Sequence, residues 1–304
     1  MRRSPLVVLR AFPSMAFLRG RLDAGEPWPT VLIRTRVEGE YRPDIEGPLS
    51  LFANRRGASE TTLDGRRLRT PGGCAAVSAR GACFSLAYET PVEALNAYFA
   101  DDWVADVSSS VAALRRDDVE ADEVAAPDVL PRLVATASEG GFEAELEALE
   151  ATLAEPSPAP LCVEERALEL LAAVLQGETR EAKRAESLAA KKRSTRLELR
   201  RRLQRAEDLL IAEAVRGPSL DELARAAAMS KYHLLRAFKA LRGVPPSRRL
   251  AQLRVRRAAW LMSTGGRTVE EAAPAVGFSD ARALRRAFRR ELGVSPAAYR
   301  AAAG

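Results

Sequence analysis

The stretch LLRAFKALRGVPPS, residues 234–247, returns fifty positions later as LRRAFRRELGVSPA, residues 284–297. Both copies contain Arg-Ala-Phe followed by a cation. Both then contain Gly-Val, with a proline two positions after the valine. A period of fifty residues is too long for one helix, and two copies are too few for a stacked repeat architecture. The sequence therefore predicts one small module that occurs twice.

Upstream of each copy lies a signal for the start of a helix. Ser219 is followed three residues later by Glu222, and Thr268 is followed in the same way by Glu271. In a capping box at a helix N-terminus, the hydroxyl accepts from the backbone N–H of the glutamate, and the carboxylate accepts from the backbone N–H of the serine or threonine. A helix is therefore expected to begin just after residue 219 and again just after residue 268.

A short turn separates this first helix from a second one in each copy. The letters AAMS precede residue 231, with Ser230 as a cap, and GFS occupies residues 277–279. Two short helices with a tight turn between them make a helix-turn-helix motif. We predict two such motifs, at about residues 220–241 and 268–291, joined by a helix over about 247–262. A spacing of roughly 34 Å would let both second helices enter successive major grooves on one face of a duplex.

The second helix of each motif has an apolar side and a basic side. Leu234 and Phe238 lie four residues apart and are expected to face inward. The outward side chains are basic, with one aromatic ring in the first copy, and such a face fits a major groove. They are Lys231, Tyr232, Leu235, Arg236 and Lys239 in the first copy, and Arg282, Arg285, Arg286 and Arg289 in the second.

The charge of the chain is unevenly distributed. Its net charge is +6, but residues 219–304 carry +11 and residues 1–218 carry −5. A basic module attached to a mildly acidic body is typical of proteins that bind polyanions. A solvated basic surface without a ligand is the alternative interpretation, and charge alone does not exclude it.

The C-terminal residues resemble the DNA-binding domain of AraC/XylS-type transcription regulators. The resemblance covers about the last hundred residues, from ELARAAAMSKYHLLRAFKALRGVPPSRRL through TVEEAAPAVGFSDARALRRAFRRELGVSPAAYR. It implies seven helices and sequence-specific binding of double-stranded promoter DNA by a bacterial, cytoplasmic, nucleoid-associated activator that is a homodimer and works with RNA polymerase. It also implies base readout from Tyr232, Leu235 and Arg236 in the first motif, and from Ala281, Arg282, Arg285 and Arg286 in the second.

The second copy departs from the family pattern in two places. Pro274 lies inside the first helix of the motif, where a proline costs on the order of 3 kcal/mol in a regular helix. Ala283 and Leu284 stand where the family often has an aromatic pair. We therefore expect the second motif to be less rigid and to use its arginines for phosphate contacts, which position a protein without specifying a sequence.

The N-terminal hundred residues predict short strands. TVLIRTRV (30–37), RRLRTP (66–71) and CAAVSARGACFSLAY (74–88) are β-branched or alternating, and turn signals separate them. Many short strands without long helices favour a sandwich or a small barrel. The stretch LDGRRLRTPGGCAAVSARG is similar, more loosely, to the cupin-like effector domain that precedes the DNA-binding module in many family members.

The middle of the chain predicts helices. Phe142, Leu146, Leu149 and Leu153 line one helical face, which either packs on its own β-domain or pairs with a second copy. A break at EPSPAP (155–160) precedes a helix over about 163–175 and a charged helical stretch over 180–216. We interpret the run RLELRRRLQR within it as mostly a solvated face, and we expect the apolar stripe to form a dimer contact.

These observations give an α+β multidomain fold. The expected domains are a cupin-like β-barrel or sandwich over residues 1–110, a helical linker and dimerisation region over 111–217, and an all-α DNA-binding domain with two helix-turn-helix motifs over 218–304. An organic effector held by the first domain is favoured over a purely structural role, but the sequence does not indicate which residues bind it.

Several chemistries are excluded by composition. His233 is the single histidine, so His-rich zinc sites and Ser-His-Asp or Cys-His catalysis lack their imidazoles. The three cysteines are expected to be reduced, and no run of eighteen apolar residues predicts a membrane span. We expect no enzyme activity, no metal and no cofactor. The alternatives are a cupin-type enzyme with a basic targeting domain and an architectural protein that binds DNA without sequence preference.

Overall fold

The computed structural model describes residues 3–13, 28–63, 65–113, 129–137, 141–188, 190, 192–263 and 265–303. The chain separates into two compact units, Met1–Lys183 and Arg184–Gly304. The domain boundaries that the sequence suggests near residues 110 and 217 stay predictions. Of the helices in the described ranges, none is both long enough and apolar enough to cross a membrane.

The first unit contains a sandwich of two sheets. One sheet has the strand order β1-β2-β9-β4-β7-β10 and the other has the order β3-β8-β5-β6. From β2 to β9 this is the double-sheet jelly-roll order of cupins, so the predicted cupin-like sandwich is confirmed. The strands are β1 (Leu6–Leu9), β2 (Thr30–Val37), β3 (Glu40–Glu46), β4 (Leu49–Arg56), β5 (Ala58–Leu63), β6 (Arg66–Pro71), β7 (Cys74–Ser78), β8 (Cys83–Tyr88), β9 (Val92–Phe99) and β10 (Arg132–Ala135).

Three helices of this unit cover the outer face of the larger sheet. They are α1 (Asp101–Ala113), α2 (Glu143–Ala154) and α3 (Pro160–Ala185). Alternate residues of the strands, such as Leu51 and Leu95, form one apolar core with Trp103 of α1 and Leu170 of α3. Because side chains alternate along a strand, the remaining residues of these strands point between the two sheets.

The apolar stripe of α2 belongs to this core. Phe142, Leu146, Leu149 and Leu153 are at most 3% exposed and pack in the same cluster as the sheet. The expectation that the stripe forms a dimer contact is therefore wrong, because the protomer's own sheet already covers it. Helix α3 also begins earlier and ends later than the predicted range of 163–175.

The second unit is helical, and the predicted fold class is confirmed. Seven helices follow residue 192 in the described ranges, in agreement with the number that the family resemblance implies. They are α4 (Arg193–Ala212), α5 (Leu220–Ala226), α6 (Lys231–Arg242), α7 (Pro246–Ser263), α8 (Val269–Ala275), α9 (Ala281–Leu292) and α10 (Pro296–Ala303). Helices α5 and α6 form the first helix-turn-helix motif, α8 and α9 form the second, and α7 connects them.

Both predicted capping boxes are present. In the first motif the Glu222 N–H donates to Ser219 Oγ at 3.2 Å, and the Ser219 N–H donates to Glu222 Oε2 at 2.8 Å. In the second motif Glu271 and Thr268 exchange the same two bonds at 3.2 Å and 2.8 Å. These bonds satisfy backbone donors that an isolated helix end leaves free, so each motif begins at a fixed residue.

Pro274 lies in the last turn of α8 and does not shorten that helix. Helix α8 has seven residues, as does α5, its counterpart in the first motif. The backbone continues past the proline, since the Val276 N–H donates to Ala272 O at 3.1 Å. The proline removes only the bond that its own nitrogen would donate.

Candidate functional site

The second helices of the two motifs, α6 and α9, have the same inward face fifty residues apart. Leu234 and Phe238 in α6, and Leu284 and Phe288 in α9, are fully buried. Burying a Leu or Phe side chain stabilises a fold by roughly 1.5–3 kcal/mol. Rotation of either helix about its axis would expose two such side chains, so the inward face fixes which residues point outward.

The outward face of α6 carries all five residues predicted for it. Tyr232 is 76% exposed and Leu235 is 38% exposed, and Lys231, Arg236 and Lys239 are exposed as well. Lys231 Nζ lies 2.7 Å from Asp221 Oδ1. Within the part of the chain that the structure describes, Arg236 forms no ion pair, so its guanidinium is available to a ligand. The face therefore combines an aromatic ring, an aliphatic side chain and three cations.

The outward face of α9 is almost purely cationic, as predicted. Arg285 forms an ion pair with Glu270 of α8. Ala281 differs from the prediction, because it is half-buried and packs against the core of the second motif. The exposed arginines of this face are Arg282, Arg285, Arg286 and Arg289.

The two motifs hold one cation each by the same device. Asp221 and Glu270 are both the second residue of the first helix of their motif, and they pair with Lys231 and Arg285. All four side chains are 47–63% exposed. Pairs as exposed as these contribute about 0–1 kcal/mol, so a phosphate can replace the carboxylate at little cost.

The turns inside the motifs are closed in the same way but differ in length. The Met229 N–H donates to Ala224 O in the first, and the Phe278 N–H donates to Ala273 O in the second, both at 2.9 Å. Helix α6 begins four residues after the C-cap of α5, whereas α9 begins five residues after the C-cap of α8. The extra residue is Ser279, and Asp280 caps α9 as Ser230 caps α6. The Asp280 carboxylate accepts from the Ala283 N–H at 2.7 Å, and this hydrogen bond lowers its pKa.

The repeated Gly-Val-X-Pro sequence ends each of these outward-facing helices. Gly243 and Gly293 are left-handed C-caps with φ of 72° and 73°. The proline three residues further on, Pro246 or Pro296, is then the first residue of α7 or α10. Glycine ends one helix and proline begins the next, which explains why both copies of the module contain this sequence.

A buried polar network ties the first motif to α4. Glu207 of α4 accepts from Arg249 Nε at 2.7 Å and lies 3.7 Å from Arg242 Nε. Arg242 also donates to Gln204 Oε1 at 3.1 Å. The sequence patterns did not predict this network, and the interpretation of RLELRRRLQR (196–205) as mostly a solvated face is wrong for one side, because Arg200, Leu203 and Gln204 are buried. The available signal was helical spacing: Gln204 lies four residues and Glu207 seven residues after Arg200, so all three lie on one face of α4.

The connector α7 holds the second motif through Glu291. Arg248 Nε and Gln252 Nε2 lie 3.5 Å and 3.3 Å from Glu291 Oε2, and Arg290 Nε donates to Oε1 at 2.7 Å. Burial opposes ionisation of Glu291, but the hydrogen bonds of Arg290 and Gln252 outweigh it, and the pKa is lowered. The carboxylate is therefore charged, and it fixes the end of α9 to α7.

The interior between the two sheets of the first unit contains buried polar side chains beside its apolar ones. Arg42 is 7% exposed, donates to Pro13 O at 2.8 Å, pairs with Glu40 Oε1 at 2.8 Å and stacks over Phe12. Arg42 Nε, Asn54 Oδ1 and Ser78 Oγ are buried and have no hydrogen-bond partner among the described residues. Buried polar side chains of these strands also include Ser50, Ser59, Thr61, Thr70 and Asn96.

Two tyrosines border Arg42 in this interior. The Asn96 amide donates to the Tyr88 hydroxyl at 3.1 Å, and the Tyr98 ring stacks on Trp28 with centroids 6.0 Å apart. Burial raises the pKa of both tyrosines, so both hydroxyls are neutral. Buried polar atoms without partners are rare in proteins, so this interior is suited to a polar guest.

Part of the second unit matches a known sequence family. Residues 223–302 match the sequence family described as "Helix-turn-helix domain". The MmsAB operon regulatory protein of Pseudomonas aeruginosa is 32% identical over 81 residues, which are 27% of this chain and 26% of that protein. The HTH-type transcriptional regulator MtrA of Neisseria gonorrhoeae is 34% identical over 86 residues, 28% of this chain and 29% of that protein.

A solved structure also resembles this region in sequence. The DNA-binding domain of AdpA, the global transcriptional factor, in complex with a target DNA, is 38% identical, with 32% of this chain and 91% of that chain covered. The TM-score of this match is 0.29. The chain spans less than a third of the length of the two curated relatives.

Proposed function

We propose that this chain, whose residues 223–302 form an AraC-type helix-turn-helix domain, is a transcription regulator that binds specific sequences in promoter DNA. One observation carries the proposal. Helices α6 and α9 bury the same residues fifty positions apart and present cations at the matching outward positions. The two curated relatives are both named as regulatory proteins, which supports the proposal and favours a role without enzyme activity.

The two helices divide the work of recognition. In α6, Arg236 is suited to donate two hydrogen bonds to the edge of a guanine, and Leu235 to contact a thymine methyl group. Tyr232 adds an aromatic ring and a hydroxyl, while Lys231 and Lys239 are suited to flanking phosphates. In α9, the arginines are suited to phosphate contacts that hold the second motif in its groove.

The first unit is proposed to hold a small organic effector between its sheets. Arg42 Nε is a buried donor and Asn54 Oδ1 a buried acceptor, each without a partner among the described residues. A buried polar group without a hydrogen bond costs roughly 1–3 kcal/mol. A molecule with acceptor and donor groups of its own would recover this energy, and its binding would stabilise the sandwich.

The remaining parts of the proposal concern partners and location. We propose a cytoplasmic, nucleoid-associated homodimer that acts with RNA polymerase as an activator, with residues 111–217 linking the effector and DNA-binding domains. Since the α2 stripe is buried, a dimer contact has to use another surface. The two alternatives, a cupin-type enzyme and an architectural protein, lack a supporting observation of this kind.

Mapping the DNA bound by the full chain in cells tests the proposal. We expect occupancy at a limited set of promoters, and we expect Arg236→Ala to lose those sites. Arg201→Ala, which removes an exposed arginine of α4, is the matched control and should keep them. Uniform occupancy of the chromosome by the unchanged protein would favour the architectural alternative.

A further inference from the structure

Arg254 of the connector α7 binds the segment that leads into the first motif. Its Nε donates to Ala214 O at 2.7 Å and its Nη2 donates to Val215 O at 3.0 Å. These carbonyls lie in the short segment between the end of α4 and the cap at Ser219. Two donors of one rigid guanidinium therefore fix the backbone just before the first motif.

The turn of the second motif packs against the same place. A methyl group added at Gly277 would overlap Val215 O and lie 2.9 Å from Arg254 Nη2. The guanidinium carbon of Arg254 lies 5.9 Å from the centre of the Phe278 ring. The entry to the first motif and the turn of the second motif thus meet directly, with Arg254 between them.

The contact leaves no room for side chains on the backbone around it. A methyl group at Gly217 would lie 2.8 Å from Arg254 Nη2 and 3.4 Å from Leu250 Cδ2. Glycines therefore stand on both sides of the guanidinium, at Gly217 and Gly277, where the backbone approaches it closely. Burial lowers the pKa of Arg254, in keeping with its partial removal from water.

We propose that Arg254 is a positioning residue that fixes the second helix-turn-helix motif relative to the first. An apolar core and Glu291 already hold the second motif on α7. Those contacts do not reach the segment that leads into the first motif. Arg254 instead holds three segments at one point: α7, the entry to the first motif and the turn of the second. Lysine cannot replace it, because a single ammonium group lacks the rigid fork.

This role has a consequence for DNA, which rests on the proposed function. Two helices held rigidly can enter two grooves only when the half-sites have one spacing and one rotational phase. Inserting a base pair between the half-sites moves one of them along and around the duplex. Arg254 would therefore set which half-site spacing the protein accepts, without touching a base.

The first test uses the free full-length protein. Residual dipolar couplings of backbone amides report whether two segments share one orientation. We expect one alignment tensor to fit both motifs in the unchanged protein and in Arg201→Ala. In Arg254→Ala and Arg254→Lys we expect the two motifs to require different tensors. The lysine variant retains the charge and the aliphatic stem, so it guards against a loss of folding in the alanine variant.

The second test uses duplexes that carry the protein's preferred site with the half-site spacing unchanged, shortened or lengthened by one base pair. The unchanged protein should lose on the order of tenfold in affinity when the spacing changes. Arg254→Ala should bind the original site more weakly and show a much smaller loss on respacing.

The two tests have separate outcomes. A single alignment tensor for both motifs in Arg254→Ala and Arg254→Lys would overturn the role of Arg254, and so would an unchanged spacing penalty. If the unchanged protein prefers no DNA sequence, the proposed function fails, and the dipolar couplings still decide whether Arg254 positions the motifs.

Discussion

Ala228 and Gly277 occupy the same position in the two motifs, and both have a left-handed backbone. Each follows the C-cap of the first helix, with φ of 50° for Ala228 and 87° for Gly277. In both turns the next N–H bonds to the carbonyl five residues back, which is the Schellman closure of a helix. Glycine adopts this backbone freely, whereas alanine pays about 1–2 kcal/mol for it.

This relationship predicts opposite effects of two exchanges. Ala228→Gly should raise the free energy of unfolding of the second unit by about 1 kcal/mol, because the strain at this exposed position is removed. Gly277→Ala should lower it by more than that, because the added methyl group also overlaps Val215 O. Urea unfolding of the full chain measures both changes. A destabilised Ala228→Gly variant would show that the left-handed turn is not strained.

The network around Glu207 predicts a large loss of stability on truncation. Glu207→Ala should cost roughly 3 kcal/mol, because it leaves the half-buried Arg249 and the buried Arg242 side chain without their carboxylate. Glu213→Ala, which breaks an exposed pair with Arg216 near the end of the same helix, is the control and should cost less than about 1 kcal/mol. Similar losses in the two variants would contradict the importance of burial here.

The burial of the α2 stripe predicts a change in stability and not in assembly. Leu149 is fully buried under the larger sheet, so Leu149→Ala should cost about 2–5 kcal/mol in the first unit. Sedimentation of the variant under native conditions should give the same oligomeric state as the unchanged protein. Dissociation without a loss of stability would instead make the stripe an interface.

The buried side chain of Glu150 predicts that the stability of the first unit depends on pH. Burial raises its pKa from 4.5 to about 7, although Arg55 Nε at 2.7 Å and Arg34 favour ionisation, while Glu147 and Glu93 oppose it. The folded state then binds the proton more tightly than the unfolded state, so this group's contribution to stability is lost as the pH rises from about 4.5 to about 7.

Glu150→Gln should remove that contribution. Unfolding free energies measured at pH 5 and pH 7.5 should differ less in the variant than in the unchanged protein. Glu147→Gln is a suitable control, since this neighbouring side chain is more exposed and also contacts Arg55. A pH dependence that survives in Glu150→Gln would assign it to another group.

The two outward faces predict different salt and sequence effects. Neutralising Arg282, Arg285 and Arg289 together should weaken binding to every duplex and flatten the salt dependence, because fewer counterions are released. Replacing Tyr232 and Leu235 should change the ranking of sequences with little change in the salt slope. Affinities for a panel of duplexes, measured at three salt concentrations, distinguish the change in salt dependence from the change in sequence ranking. Altered base preference in the arginine variant would mean that both helices read sequence.

Local signals explain what the sequence could predict. Each capping box lies within four residues, and the inward faces of α6 and α9 follow from the spacing of Leu and Phe along one helix. Strands β2 and β6 have the predicted limits of 30–37 and 66–71, because alternation is also local. These features need no knowledge of distant residues.

Contacts between distant residues explain what the sequence could not predict. Periodicity showed that α2 has an apolar face but not that the sheet would cover it. In the sequence, nothing distinguishes Arg254 from the other arginines of its helix, because its two carbonyl acceptors lie about forty residues upstream. Likewise, nothing in β2 indicates that its antiparallel partner is β9, since pairing depends on the whole jelly-roll.

Selection of bound duplexes from a random-sequence library tests the central claim most directly. The full chain, at physiological salt, should enrich a motif of two half-sites about one helical turn apart, and Arg236→Ala should blur one half of it. Enrichment of no motif, with binding that depends only on salt, would contradict the claim that this protein reads DNA sequence through α6 and α9.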